Sequence, residues 1–261
     1  PHSVGCGWLT HNDPGYPGYR GEMSKDAPLI PELLREQGWT TMALGKWHNT
    51  YDRNNFPGGD TSSWPIQRGF DRSIVQGDTG SDNWDPQQRY LPHSAQVDWF
   101  EDGERATMPA TFYSSEYFVD RAINYIDSGK GSGKPFFAYV AFQANHVPIQ
   151  APQDFIDKYK GRYDAGWDVL RQQRRDKAAN LGLIAPGTPF TTMATSKRWN
   201  ELSAKDRRYQ AREMEIYAAM ADAMDFHVGR LVDHLKAIGE YERTVFVFLS
   251  DNGPEGADYA D

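Results

Sequence analysis

Three short polar motifs in this chain each lie just past an apolar run of five to seven residues that has the composition of a buried strand. The apolar runs are residues 40–44, 136–142 and 245–249. The motifs that follow them are Gly45-Lys46-Trp47-His48, Asn145-His146-Val147-Pro148 and Ser250-Asp251-Asn252-Gly253. In an open α/β sheet, ligands bind in the crevice outside the carboxyl ends of the strands. The three motifs therefore predict one shared site at such an edge.

Helical periodicity separates these strands. Residues 31–37 predict a short helix with a proline in its first turn and Gly38 after its last. Residues 115–127 and 208–238 have apolar side chains at helical spacing, and Gly239 ends the second of these segments. The alternation of strands and helices predicts a layered α/β fold.

Two long segments do not fit this alternation. Residues 49–110 contain turn signals and predict a long loop region, in which Trp64, Trp84 and Trp99 favour ordered loops packed over the site. Residues 153–215 are charged and helical, and we expect a helical excursion within a single domain that spans residues 1–261.

Composition excludes several classes of protein. The net charge is −8, from 28 basic and 36 acidic residues, which argues against a nonspecific nucleic-acid binder. No apolar run approaches the roughly 20 residues that span a bilayer, so no membrane partner is expected. Cys6 is the only cysteine, which excludes an intrachain disulfide and a cysteine-rich zinc site.

The residue types in the motifs suit the handling of an anionic ester. Lys46 supplies a point charge for a tetrahedral anion, and His48 and His146 can move a proton near neutral pH. Asp251 and Asn252 have the oxygen ligands that Ca²⁺ or Mg²⁺ prefers. Each motif alone also fits a structural role: a surface lysine, a hydrogen-bonded or capping histidine, or an Asx-turn.

Together the motifs resemble the sulfatase family, specifically the bacterial arylsulfatases of the alkaline-phosphatase-like superfamily. The similar segments are residues 45–48, 64–71, 144–152, 163–168 and 250–253. This resemblance implies an α/β/α sandwich with a mixed, mostly parallel central sheet. Because the chain begins at Pro1 and stops at Asp261, soon after a predicted strand, we expect a partial catalytic domain truncated at both ends.

The resemblance also implies roles for the motif residues. Asp251 and Asn252 would ligate a divalent cation, usually Ca²⁺, with Mg²⁺ and Mn²⁺ as alternatives. Lys46 would hold the sulfate and the nucleophile. His48 would contact the hydroxyl of the nucleophile, and His146 would protonate the leaving oxygen. The implied substrate is a small-molecule sulfate ester.

The sequence departs from the family pattern at the nucleophile. In sulfatases this residue is a formylglycine made from Cys or Ser in a Cys/Ser-x-Pro-x-Arg motif, whereas Cys6-Gly7-Trp8-Leu9-Thr10 lacks the proline and the arginine. The N-terminal aspartate pair and the late lysine of the family are absent as well. We therefore expect formylglycine only in an intact parent protein, and no activity from these 261 residues alone.

Two alternatives stay open at this point. A phosphonate or phosphate ester hydrolase of the same superfamily needs a similar clamp for a tetrahedral anion. A noncatalytic protein that keeps the fold as a binding module would also retain these motifs.

Overall fold

The structure is a computed structural model that describes residues 21–51, 54, 58–77, 80–88, 97–189 and 197–250. It contains a sheet of five strands with helices before, between and after them. The strands are β1 (Thr40–Lys46), β2 (Arg72–Gln76), β3 (Trp99–Glu101), β4 (Glu104–Arg105) and β5 (Phe136–Ala141). The α-helices are α1 (Ile30–Glu36), α2 (Ser114–Ser128), α3 (Gln153–Asp157), α4 (Trp167–Asn180) and α5 (Ala204–Ala237). The helices predicted over 31–37, 115–127 and 208–238 are confirmed as α1, α2 and α5, as are the strands predicted at β1 and β5.

The sheet is mixed and mostly parallel around its centre. Its strand order is β4-β3-β2-β1-β5. Strand β1 pairs in parallel with β2 on one side and with β5 on the other. Strands β3 and β4 extend the β2 side as an antiparallel ribbon. Because β1, β2 and β5 all run in one direction, their carboxyl ends meet at one edge of the sheet.

Strands β1 and β2 are buried on both faces, as is usual for parallel strands at the centre of a sheet. Met42, Leu44 and Ile74 face a first core, and Ala43 and Val75 face a second core. Helices α2 and α5 supply the first core with several apolar side chains, namely Phe118, Ala122, Ile126, Leu231 and Leu235. The second core is filled mainly by aromatic rings. Trp47, Trp64 and Phe70 come from the loops that flank the strands, and Phe100 comes from β3.

Charged side chains attach the end of α5 to α2. The Nη2 atom of Arg230 donates to Asp120 Oδ1 at 2.7 Å, and His234 Nε2 lies 2.8 Å from Asp127 Oδ1. These pairs lie along the border of the first core, where Leu235 is 1% exposed. Apolar burial and these charged pairs therefore both hold the end of α5 against α2.

The chain divides into two compact units. One contains residues 1–148 and 224–261, and the other contains residues 149–223. In the second unit, the half-buried rings of Trp167 and Trp199 meet edge to face at 5.0 Å. The buried carboxylate of Glu215 accepts from the backbone N–H of Gly161 at 2.7 Å and from Arg212 at 2.8 Å. The interpretation of 153–215 as an excursion within a single domain stays a prediction.

The structure corrects two predictions. Residues 245–249 form no strand, and their side chains are between 45% and 87% exposed. Their composition favours a strand, but none of the described residues pairs with them, and a strand needs a neighbour for its backbone groups. The prediction of a long loop region over 49–110 is corrected as well, because β2, β3 and β4 lie within it.

Candidate functional site

The carboxyl edge of the three parallel strands places several polar side chains close together in the fold. Strand β1 ends at Lys46, which is the register partner of Gln76 at the end of β2. On the other side of β1, the last pair with β5 is Gly45 and Ala141. Adjacent strands are about 4.8 Å apart. The chain segments that follow β1, β2 and β5 therefore leave the sheet side by side.

Trp47 anchors the segment that contains the two predicted site residues of β1. Its indole is 5% exposed and belongs to the second core. Its backbone N–H donates to Gln76 O at 2.9 Å. The indole Nε1 donates to Thr50 Oγ1 and to Ser63 O, both at 3.1 Å. Because Trp47 is fixed at both its backbone and its ring, Lys46 and His48 have defined positions on either side of it.

The conformation of this segment depends on two residues with positive φ. Gly45 has φ +95°, and a Cβ atom there would lie 2.1 Å from the carbonyl oxygen of Ala141. Only glycine allows this close approach of β1 to β5. His48 has φ 38°, a region that non-glycine residues seldom occupy and that is over-represented at functional sites. The Gly-Lys-Trp-His sequence therefore turns sharply away from the sheet at its edge.

His146 lies in a tight turn directly after β5. Its backbone N–H donates to Gln143 O at 2.8 Å, and its Nδ1 lies 2.9 Å from Val147 O. A carbonyl oxygen can only accept, so Nδ1 has the hydrogen in this arrangement. Proton transfer to or from this ring would therefore use the other ring nitrogen, Nε2.

Buried side chains from another loop brace both ends of this turn. Gln143, just before the turn, accepts through Oε1 from the N–H of Ser81 at 2.7 Å. Asn83 donates through Nδ2 to the carbonyl oxygen of Pro148 at 3.0 Å, just after the turn. Ser114, the first residue of α2, donates to Asn83 Oδ1 at 2.5 Å. Ser81 and Asn83 are each 1% exposed, so these bonds have little competition from water.

Tyr113, the residue directly before α2, adds no charge to this region. Tyr113 is buried, and its ring centroid lies 4.6 Å from that of Trp84. Burial raises the pKa of Tyr113 to about 12, although a hydrogen bond with the Ser115 side chain acts in the opposite direction. The Tyr113 phenol is therefore neutral at physiological pH.

The structure brings three of the five predicted site residues to one edge. Lys46, His48 and His146 follow the ends of the adjacent strands β1 and β5. Asp251 and Asn252 lie outside the described residues, as does Cys6. Within the described ranges, no group of three or more His, Cys, Asp or Glu side chains could hold a metal ion.

Sequence reasoning did not find the brace around the His146 turn. Ser81 and Asn83 are small polar residues in a loop, a composition that ordinarily indicates a turn. The bond from Asn83 to Pro148 joins residues 65 positions apart, and no local pattern signals such a pair. The only local signal is the high density of polar residues in this loop.

Among the helices that the structure describes, none combines the length and the apolar character that crossing a membrane would require.

Comparisons with known proteins agree on one family. The sulfatase family profile matches residues 6–260. An uncharacterized sulfatase of Schizosaccharomyces pombe is 37% identical over 256 residues, covering 93% of this chain and 44% of that protein. An arylsulfatase of Klebsiella aerogenes is 31% identical over 255 residues, covering 97% of this chain and 53% of that protein. The chain thus spans about half the length of these curated relatives.

Solved structures support the fold. The structure of a protein in complex with its substrate D-glucosamine-2-N,6-O-disulfate matches with a TM-score of 0.51 at 17% identity, covering 92% of this chain and 53% of that one. The putative sulfatase yidJ from Bacteroides fragilis matches with a TM-score of 0.53 at 19% identity, covering 85% of this chain and 42% of that one. These matches confirm the predicted alkaline-phosphatase-like α/β fold. With the family profile across nearly its whole length, the chain belongs to the sulfatase family.

Proposed function

We propose that this chain is part of a hydrolase of small-molecule sulfate esters, in which Lys46, His48 and His146 act on the sulfuryl group. The observation that supports this most directly is the parallel pairing of β1 with β5. That pairing brings a lysine and two histidines to one sheet edge in a chain whose residues 6–260 match the sulfatase profile. One of the relatives of this chain is named an arylsulfatase.

The residues at this edge have distinct tasks in this proposal. The Lys46 ammonium binds the anionic sulfuryl oxygens as a point charge. His146 delivers a proton to the leaving alcohol oxygen from Nε2, since Nδ1 is engaged by the Val147 carbonyl at 2.9 Å. His48 contacts the hydroxyl of the nucleophile and assists the release of sulfate. The brace on either side of the His146 turn keeps the ring oriented.

A divalent cation, most commonly Ca²⁺, would be held by Asp251 and Asn252. Their side-chain oxygens suit a hard cation, but Ca²⁺ takes about 6–8 oxygen ligands, so two side chains alone are a weak site. When bound, the cation supplies positive charge next to the sulfuryl oxygens. The nucleophile of the intact parent would be a formylglycine, and Cys6 does not supply it because its surroundings lack the proline and the arginine of the motif.

Binding of inorganic sulfate to the 261-residue chain tests the anion site. Lys46→Met should raise the sulfate Kd roughly tenfold or more, because a charge-assisted hydrogen bond contributes about 1.5–3 kcal/mol. Lys134→Met is the matched control, since Lys134 is an exposed lysine in the turn before β5 and should leave the Kd unchanged. Calorimetric titration measures all three proteins. The same sulfate Kd in Lys46→Met and in the wild type would contradict the proposed site.

Turnover tests the assignment of the nucleophile. With Ca²⁺ and an aryl sulfate, the chain should show no appreciable hydrolysis, because losing a covalent nucleophile removes most of the rate enhancement. Hydrolysis at the rate of an intact sulfatase would show that another residue of this chain is the nucleophile.

A further inference from the structure

Gln76 is a fully buried side chain with an unusual lack of partners. It is the last residue of β2 and is 0% exposed. Neither its Nε2 nor its Oε1 atom has a hydrogen-bond partner among the described residues. Leaving a buried polar group unpaired costs about 1–3 kcal/mol, and such groups are rare in folded proteins. A sequence that keeps a carboxamide at this position therefore needs a reason other than packing.

The position of Gln76 places it next to the proposed anion site. Gln76 and Lys46 are register partners on adjacent parallel strands, about 4.8 Å apart at their Cα atoms. Side chains of such partners lie on the same face of the sheet. Leu44 and Ile74, two residues earlier in each strand, both face the first core. Lys46 and Gln76 therefore continue this face at its carboxyl end.

Gln143 is a second buried carboxamide on the other side of β1. It follows β5 by two residues, is 5% exposed, and accepts the His146 backbone N–H through its own carbonyl. The Ser81 N–H bonds its side-chain oxygen at 2.7 Å, which fixes which end of the amide is Nε2. That Nε2 group has no hydrogen-bond partner among the described residues. It is therefore an oriented donor within the segment that contains His146.

We propose that Gln76 and Gln143 are additional substrate-binding residues, an inference that rests on the proposed function. Each donates from Nε2 to an oxygen of the sulfuryl group held by Lys46. Sulfuryl oxygens accept hydrogen bonds and do not donate, so they suit two neutral donors beside one cation. The Gln76 Oε1 atom needs a donor, which a hydroxyl on the alcohol portion of the ester provides. Gln76 thereby favours esters with a hydroxyl close to the sulfate.

The test compares two ester probes, methyl sulfate and glucose 6-sulfate, by calorimetric titration of the 261-residue chain. Both have a single negative charge, and only the sugar ester offers hydroxyl donors. Gln76→Met keeps the side-chain volume and removes both polar atoms. We expect it to weaken methyl sulfate binding about threefold to tenfold and glucose 6-sulfate binding by a larger factor. Gln143→Glu keeps the oxygen that accepts from Ser81 and removes the Nε2 donor. It should weaken the binding of both esters more than tenfold.

Stability separates this role from a structural one. Without ligand, Gln76→Met should melt at the same temperature as the wild type or higher, because it removes an unpaired buried amide. Gln37→Met is the control, since Gln37 is exposed at the end of α1. A lower melting temperature with unchanged affinity for both esters would overturn the inference and assign Gln76 to the fold.

The same titrations distinguish the two proposals. If Lys46→Met weakens methyl sulfate binding and the two glutamine variants do not, the inference is wrong and the proposed function stands. If Lys46→Met has no effect, or if the wild type binds neither ester, the proposed function is wrong and the inference falls with it.

Discussion

Replacing Asn83 with aspartate should make the stability of the protein depend on pH in a way that the wild type does not. Asn83 is 1% exposed, and its Nδ2 donates to Pro148 O at 3.0 Å while its Oδ1 accepts from Ser114 at 2.5 Å. An aspartate keeps the acceptor but, when ionised, faces the Pro148 carbonyl with a second negative oxygen. When protonated, it can donate to that carbonyl as asparagine does.

The expected loss follows from proton linkage. An unfolded aspartate has a pKa of about 3.9, and burial beside a carbonyl raises the pKa of the folded Asn83→Asp carboxyl above this value. Between these two pKa values the folded state binds more protons than the unfolded state, so stability falls by about 1.4 kcal/mol for each pH unit of increase. A folded pKa near 7 would correspond to a loss of about 4 kcal/mol at pH 7 and almost none at pH 4.

Urea denaturation of wild type and variant at pH 4.5 and pH 7.5 measures this difference. Asn83→Ala loses both hydrogen bonds at every pH and should be less stable by about 2–5 kcal/mol at both values. Asn180→Asp, at the exposed end of α4, controls for the added charge. The His146 amide should also exchange with solvent faster in Asn83→Asp at pH 7.5. An equal stability deficit at both pH values would refute the proposed brace.

Three further predictions concern the stability of the fold. The guanidinium of Arg68, which is 3% exposed, bonds one carboxylate and three backbone carbonyls. Arg68→Met should therefore lower the free energy of unfolding, measured by urea denaturation, by about 3–5 kcal/mol. A loss below about 1 kcal/mol would contradict this prediction. A Cβ atom at position 45 would lie 2.1 Å from the Ala141 carbonyl oxygen, so Gly45→Ala should be misfolded or strongly destabilised. Circular dichroism measures this, and a variant that melts like the wild type would exclude the clash. Burial lowers the pKa of His227 in the folded protein, and the positive charge of Arg230 acts in the same direction. Because the unfolded histidine then binds protons more readily than the folded one, stability should be lost as pH falls below about 6.5. His227→Gln should reduce the stability difference between pH 7.5 and pH 5.5, and an unchanged difference would assign that loss to other groups.

Periodicity predicted the elements that a local pattern can specify. Strands β1 and β5 are apolar runs, and α2 and α5 have apolar stripes at helical spacing, so each follows from its own residues. Strand β2 was missed because only two of its five residues are apolar, Ile74 and Val75, and they face opposite cores. A single apolar residue on each face gives no recognisable alternation in a loop-rich region.

The proposed site residues are visible in the sequence for the same reason, and their roles stay predictions. Motifs at strand ends are visible in the sequence, so Lys46 and His146 could be placed at one edge. The prediction for residues 245–249 was wrong because propensity does not supply a neighbouring strand. The bonds from Asn83 to Pro148 and from Ser81 to Gln143 each join residues more than 60 positions apart, which only the three-dimensional structure shows.

The parallel pairing of β1 with β5 also bears on how fast the protein folds. Thr40 pairs with Phe136, so the chain must close a loop of roughly a hundred residues before this ladder forms. Pairings between residues so distant in sequence are associated with folding in milliseconds to seconds rather than microseconds. The edge that places Lys46 beside the His146 turn does not exist until that closure is complete. Local helices such as α2 can form early, whereas the ligand-binding edge is expected to be among the last parts of the molecule to appear.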